Sequence, residues 1–163
     1  MIQKTTIARC PLCSGQLTTS WVPYRISYFG EVMLITSQCG CGFRFSDTLI
    51  LSQHKPVRYE LKVEKQDDLN ARVVRSTTAT IRIPELGIDI EPGPASEAFI
   101  SNIEGVLERV KNVLEMTMHW GEKEKKQAKK LLSIIEDIKE GKFKITVIIE
   151  DPFGNSAIIS KNA

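Results

Sequence analysis

Apolar residues alternate with polar ones over Arg58-Tyr59-Glu60-Leu61-Lys62-Val63 and again over Ala79-Thr80-Ile81-Arg82-Ile83. A period of two puts successive side chains on opposite faces of an extended chain, so both segments predict strands with one buried face. Thr48-Leu49-Ile50-Leu51 leads into this block, Asp67-Asp68 marks a turn, and Arg72-Val73-Val74-Arg75 adds a strand. Gly87-Ile88-Asp89-Ile90-Glu91 forms another before Pro92-Gly93-Pro94 breaks the chain. The period then changes. Ile103, Val106, Leu107, Val110, Val113 and Leu114 recur at helical spacing, and Ser101-Asn102-Ile103-Glu104 has the S-x-x-E form of a capping box. A second helix is expected from about Glu122 to Glu140, with a stripe of Ala128, Leu131, Leu132, Ile135 and Ile138 and a stop at Gly141. The short link at Gly121 predicts an antiparallel helical hairpin. Phe143-Lys144-Ile145-Thr146-Val147-Ile148-Ile149 and Ala157-Ile158-Ile159 return to strand.

Upstream, residues 21–35 are rich in aromatic and β-branched types with Gly30 as a break, which reads as a β-hairpin. Strands, a helical insertion and strands again predict an α+β chain. A helical hairpin at about residues 98–141, inserted into a β-sandwich or barrel, fits better than two independent domains, because neither strand block suffices alone. The domain boundaries expected are 1–50 for a small N-terminal module and 51–163 for the β-domain. A length of 163 residues with 42% hydrophobic and 26% charged residues excludes a disordered or collagen-like chain. No apolar run approaches the roughly 20 residues of a membrane span. The opening residues lack an apolar signal-peptide core, so a cytoplasmic location is the expectation.

All four cysteines lie before position 42, as two close pairs, Cys10-Pro11-Leu12-Cys13 and Cys39-Gly40-Cys41-Gly42. Two short knuckles on neighbouring hairpins can present four thiolates to one tetrahedral Zn²⁺, and glycines at Gly15, Gly40 and Gly42 suit the tight turns that such knuckles need. A disulfide is disfavoured in a cytosolic chain, and a redox C-x-x-C needs no second pair and a βαβ context that is missing here. Cys10, Cys13, Cys39 and Cys41 are therefore the expected ligands of one structural Zn²⁺. The C-x-C form of the second pair is one residue shorter than the usual knuckle. Four thiolates leave no open coordination position, which predicts a structural metal and not a catalytic one.

The formal charge is +2, with both signs mixed along the chain, whereas a dedicated nucleic-acid binder concentrates positive charge on one face. Loading zinc onto four thiolates returns even the slightly basic first 50 residues to neutrality. Lys123, Lys126 and Lys130 lie opposite the apolar stripe of the second helix, as a solvated face or as a docking surface for an acidic partner. Tyr24, Tyr28 and Phe29 are the corresponding candidates on the N-terminal module. Trp21, Tyr24, Tyr28, Arg25 and Arg44 would serve the alternative reading, a zinc ribbon that binds RNA. Arg72, Arg75, Glu85, Glu104 and Asp151 stand beside turns and strand ends, where hydrogen bonding and ion pairing of the β-domain is the expected role. Asp151-Pro152-Phe153-Gly154-Asn155 is a turn by its chemistry, and its amides offer an alternative as an anion-binding nest. The two histidines, His54 and His119, lie too far apart in the reading to build a metal triad with a carboxylate, and no Walker loop, dinucleotide fingerprint or nucleophile motif is present. No enzymatic activity is expected.

Several linked motifs carry a resemblance over about residues 8–160. Cys10-x-x-Cys13 is followed by Pro23 and Phe29-x-Glu31-Val32. Asp68-Leu69-x-x-Arg72-Val73-Val74-Arg75-Ser76 continues through Ala79-x-Ile81-x-Ile83-Pro84-Glu85-Leu86 to Glu104-Gly105, and Asp151-Pro152-x-Gly154-Asn155-Ser156 closes the set. Together they make the chain resemble the ZPR-type zinc finger proteins. The resemblance implies a zinc ribbon followed by a double-stranded β-helix domain that carries a helical hairpin. It also implies an adaptor or folding chaperone for translation elongation factor one-alpha, acting by stoichiometric binding and without enzymatic chemistry. Eukaryotic members carry the unit in two tandem copies, whereas this chain holds one, as single-copy archaeal versions do.

Overall fold

The computed structural model describes residues 3–93 and 96–161, so Pro94 of the expected chain break lies outside the described residues. The chain divides into two compact units, Met1–His54 and Lys55–Ala163.

The first unit is a four-stranded antiparallel meander of β1 (Lys4–Arg9), β2 (Gln16–Ile26), β3 (Gly30–Cys39) and β4 (Arg44–Ile50), in that order across the sheet. The expected hairpin is the β2–β3 pair, in register from Leu17 opposite Cys39 to Ile26 opposite Gly30. β1 escapes the sequence pattern because Lys4-Thr5-Thr6-Ile7-Ala8-Arg9 carries little apolar alternation; it is extended because it pairs with β2 along its whole length. Phe29, Val32 and Ile35 are buried in this unit, and so are Thr19 and Ser37, whose hydroxyls bond to each other at 2.8 Å. The polar pair satisfies itself and so avoids the cost of an orphaned buried hydroxyl.

The second unit contains two antiparallel sheets. One runs in the order β5 (Val57–Val63), β10 (Ile145–Asp151), β7 (Thr80–Ile83), β8 (Ile88–Ile90). The other runs β11 (Ala157–Ile159), β6 (Arg72–Arg75), β9 (Phe99–Asn102). Helices α1 (Ile103–Thr117) and α2 (Glu122–Lys139) are inserted between β9 and β10. Ile81, Ile83, Val147 and Ile149 from one sheet, Val73 and Ile158 from the other, and Ile103, Leu107, Ile135 and Ile138 from the helices form one core. The inward residues of β10 fall at Ile145, Val147, Ile149 and Asp151, a strict alternation whose last member is a carboxylate.

Two expectations are corrected here. The hairpin insertion does not begin at 98, because residues 99–102 form β9, paired with β6 from Arg75↔Phe99 to Arg72↔Asn102. Ser101 is therefore a strand residue and not a helix cap. Asn102 caps α1 instead, its side-chain oxygen accepting the Gly105 amide at 2.8 Å. Of the α1 stripe, Ile103, Val106, Leu107 and Val110 are buried, while Val113 has turned out to solvent.

Candidate functional site

The two knuckles sit at the turns β1–β2 and β3–β4, at the same end of the meander, because β2 and β3 are antiparallel and Leu17 faces Cys39. In the first, the Ser14 amide donates to the Cys10 carbonyl at 2.9 Å and the Cys10 amide to the Gly15 carbonyl at 2.8 Å. Gly15 packs its bare Cα against the metal end of the knuckle, where a Cβ would lie 3.2 Å from the Cys13 sulfur, and its amide points at that sulfur at 3.4 Å. In the second, the Gly42 amide donates to the Cys39 carbonyl at 3.0 Å with Gly42 at φ +94°, a left-handed conformation that disfavours any side chain. Ser14, at φ +58°, takes the left-handed position of the first knuckle, which the glycine pattern did not reveal.

The sulfurs of Cys10, Cys13, Cys39 and Cys41 all lie within 4.8 Å of one another. Cys10 Sγ is 3.7 Å from Cys41 Sγ, and Cys13 Sγ is 3.5 Å from Cys39 Sγ. A tetrahedron of Zn–S bonds of about 2.3 Å has edges of about 3.8 Å, so the four sulfurs already stand near the corners that zinc requires. The shortened Cys39-x-Cys41 knuckle brings both of its sulfurs into the cluster. Burial pushes the Cys10 thiol up, but the amides of Cys13 and Leu12 and the neighbouring sulfurs outweigh it and bring it down to about 7. The Gly15 amide favours the Cys13 thiolate, yet crowding by Cys39 and Cys41 wins and pushes that thiol up to about 12. Four sulfurs this close resist becoming four anions on their own, and a dication at their centre removes the repulsion. The donor set thus fits one structural Zn²⁺.

Residues 67–163 match the ZPR1 jelly-roll domain family. An uncharacterized ZPR1-like protein of Pyrococcus horikoshii is 51% identical over 98% of this chain and 75% of its own length. The chain belongs to the ZPR1-like family. A second such protein, from Methanocaldococcus jannaschii, is 48% identical over 93% of this chain and 79% of its own length. The zinc finger chaperone zpr1 of Schizosaccharomyces pombe is 30% identical over 91% of this chain, which spans 34% of that longer protein. The two antiparallel sheets of the second unit, β5 apart, lie within the residues that match the family's jelly-roll domain. The longer relatives are zinc finger proteins, one of them a chaperone.

The remaining candidates are scattered over both units. Tyr24, near the far end of β2, is 56% exposed, and Tyr28 is exposed in the β2–β3 turn. Phe29 is 6% exposed, so its place among contact residues is corrected: it belongs to the small core of the ribbon. Trp21 is half-buried and its indole N–H donates to the Thr6 hydroxyl at 2.9 Å, leaving less ring for stacking than the RNA reading supposed. Lys123, Lys126 and Lys130 are all exposed on α2. Sequence reasoning missed Trp120, 76% exposed just beyond α1, and with it the exposed Met116 and Val113. Val113 and Met116 stand three residues apart on the solvent face of α1, and Trp120 lies in the turn that follows it.

Among the five polar candidates, Arg72 and Glu104 are exposed, whereas the others hold the β-domain together. Glu85 accepts the Thr146 amide at 2.9 Å and its hydroxyl at 2.8 Å. Asp151 is 1% exposed and accepts five hydrogen bonds: from Ser76, Thr78 and Ser156 hydroxyls at 2.7, 2.8 and 2.7 Å, and from the amides of Phe153 and Asn155 at 3.0 and 2.9 Å. The turn is indeed an anion nest, and the anion is the chain's own carboxylate. Burial alone would raise the Asp151 carboxyl, but these donors outweigh it and hold it below the usual range.

Proposed function

We propose that this chain is a zinc-dependent protein-binding adaptor or folding chaperone that acts by stoichiometric binding, with translation elongation factor one-alpha as its client and no catalytic step of its own. The observation that carries the reading is the set of exposed apolar residues Val113, Met116 and Trp120 along and just beyond α1. A large aromatic at high exposure just past a helix end suits a client surface with an apolar centre, and Trp is the residue type most often dominant in such contacts. Kinship with a zinc finger chaperone of Schizosaccharomyces pombe supports the same class of activity. The zinc site has the supporting role of fixing the ribbon, with Cys10, Cys13, Cys39 and Cys41 as its four ligands and Tyr24 and Tyr28 as the ribbon's own contact residues. A cytoplasmic location follows from the client; among the described residues no helix is long and apolar enough to cross a membrane.

The test is gel filtration of the zinc-loaded full chain with purified elongation factor one-alpha in its GDP and GTP-analogue states. A one-to-one complex is expected, weakened at least tenfold by Trp120→Ala with the helical circular-dichroism signal unchanged. Absence of a complex in both nucleotide states overturns the choice of client. An unaffected complex with Trp120→Ala overturns the choice of surface.

A further inference from the structure

In the second unit, β8 is the open edge of one sheet and β9 the open edge of the other. A cavity of about 530 Å³ lies between these edges and α1. Its walls are Ile88 and Ile90 from β8, Phe99 from β9, and Val110, Val113 and Leu114 from α1. Such a volume with mainly apolar walls and a few convergent polar groups is typical of a small-molecule site.

The polar groups are two guanidiniums. Arg75 is 4% exposed and is held by three carbonyl oxygens: Nε donates to Ala79 at 3.2 Å, one terminal nitrogen to Glu97 at 3.3 Å and the other to Glu91 at 3.3 Å. Among the described residues no carboxylate pairs with it, so its charge is buried against backbone carbonyls and the Phe99 ring. Arg75 also spans the gap between the sheet edges, tying the chain after β8 and the chain before β9 to the end of β6, which keeps the cavity from closing. Arg109 lies with its guanidinium 4.3 Å from the Phe99 ring centroid, and Arg75 sits 5.9 Å from the same centroid. Arg109 likewise has no carboxylate partner among the described residues. Burial, and after it the repulsion of Arg109, lowers the Arg75 guanidinium's affinity for its proton, as two unneutralised cations at one pole of a cavity require.

Three acids stand at the rim, and none neutralises this pole. Asp89 alternates to the face of β8 away from Ile88 and Ile90 and lies 3.8 Å from Arg82. Glu91 and Glu97 are exposed residues that meet Arg75 through their carbonyl oxygens.

We propose that the cavity between β8, β9 and α1 binds a small amphipathic monocarboxylate, its apolar chain against Ile88, Ile90, Val110 and Leu114 and its carboxylate on Arg109. The planar guanidinium, pre-positioned on Phe99, offers the paired N–H groups that a carboxylate takes. Arg75 contributes field and shape from behind, its guanidinium anchored to three carbonyls and 4% exposed. Val113 belongs both to this cavity and to the proposed client surface, but Arg109 lies outside that surface and Trp120 outside the cavity, so Arg109→Gln and Trp120→Ala test the two readings separately.

The experiment is calorimetric titration of the zinc-loaded full chain with octanoate, octanol and octylamine, which share one tail and differ in head-group charge. Octanoate is expected to bind at least tenfold more tightly than octanol, with octylamine weakest. Arg109→Gln, at an exposed position, should cost octanoate at least tenfold and leave octanol unchanged. Val113→Trp, which fills the mouth from an exposed site, should remove all binding with the helical circular-dichroism signal intact. Failure of octanoate to bind at millimolar concentration overturns the proposal. So does octylamine binding as tightly as octanoate, or octanoate affinity insensitive to Arg109→Gln.

Discussion

Replacing Asp151 by Asn removes one charge and exchanges one oxygen for an NH₂ group, with almost no change in volume. In the native cage one carboxylate oxygen accepts from the Thr78 hydroxyl and the Phe153 amide. The other accepts from the Ser76 and Ser156 hydroxyls and the Asn155 amide. Hydroxyls can rotate and become acceptors for the new NH₂, but a backbone amide cannot. Whichever way the Asn amide is turned, one backbone N–H, of Phe153 or of Asn155, faces another donor. A stranded buried donor costs about 1–3 kcal/mol, and the two bonds kept by a remaining carbonyl oxygen in the Oδ1 position lose charge assistance worth about 1 kcal/mol each. The sum is about 3–5 kcal/mol, in the range found when a buried charge loses its partner. For a unit of this size that corresponds to a drop in Tm of at least about 12 °C. The helical circular-dichroism signal, which arises from α1 and α2 of this same unit, is the readout. Glu150 is the internal control: one residue earlier, it bonds Arg58 at 3.2 Å and Arg82 at 2.7 Å, but at a half-exposed surface. Glu150→Gln should cost at most about 1 kcal/mol. A Tm for Asp151→Asn within about 4 °C of the parent, or equal to that of Glu150→Gln, would refute the reasoning.

The same carboxylate sets an acid limit. Its folded pKa is depressed, so its contribution is fully present above the unfolded Asp value and lost as pH falls through the lower folded one; stability should decline below about pH 4, and less steeply in Asp151→Asn. Metal analysis should return one Zn²⁺ per chain, and Cys41→Ser should release it to a chromogenic chelator at concentrations that leave the parent loaded. In the ribbon, Phe29→Ala should cost about 3–5 kcal/mol of stability by hydrogen exchange of β2 and β3, whereas Tyr24→Ala should stay within about 0.5 kcal/mol.

Legibility in the sequence followed the strength of local periodicity. β5, β7, α1 and α2 each carry enough alternation or stripe to announce themselves, and the four cysteines announce the metal. β9 did not, because Ser101-Asn102-Ile103-Glu104 satisfies a capping pattern at one register while the fold uses Asn102 one position later, freeing Ser101 for the sheet. β1 is a strand by pairing alone. The order of strands in the two sheets is set by contacts between residues far apart in the chain, which no local pattern encodes. The polar network was half legible: the turn at Asp151 was read correctly as a turn. Its stronger signal was an acid falling in the inward phase of Ile145, Val147 and Ile149. Arg75 follows the buried Val73 and Val74 and gives the same signal, a charge where the pattern calls for an apolar residue.

β10 lies between β5 and β7, so the strand that joins them follows both of its neighbours, and the helical hairpin, in the chain. Until it arrives, β5 and the β7–β8 pair have no common partner, and the hydroxyls of Ser76 and Thr78 wait for an acceptor 75 and 73 residues downstream. The second unit therefore closes in one step that inserts a strand and seats a carboxylate together. Loss of β10 would leave β5 and the β7–β8 pair as two open sheet edges with nothing to join them.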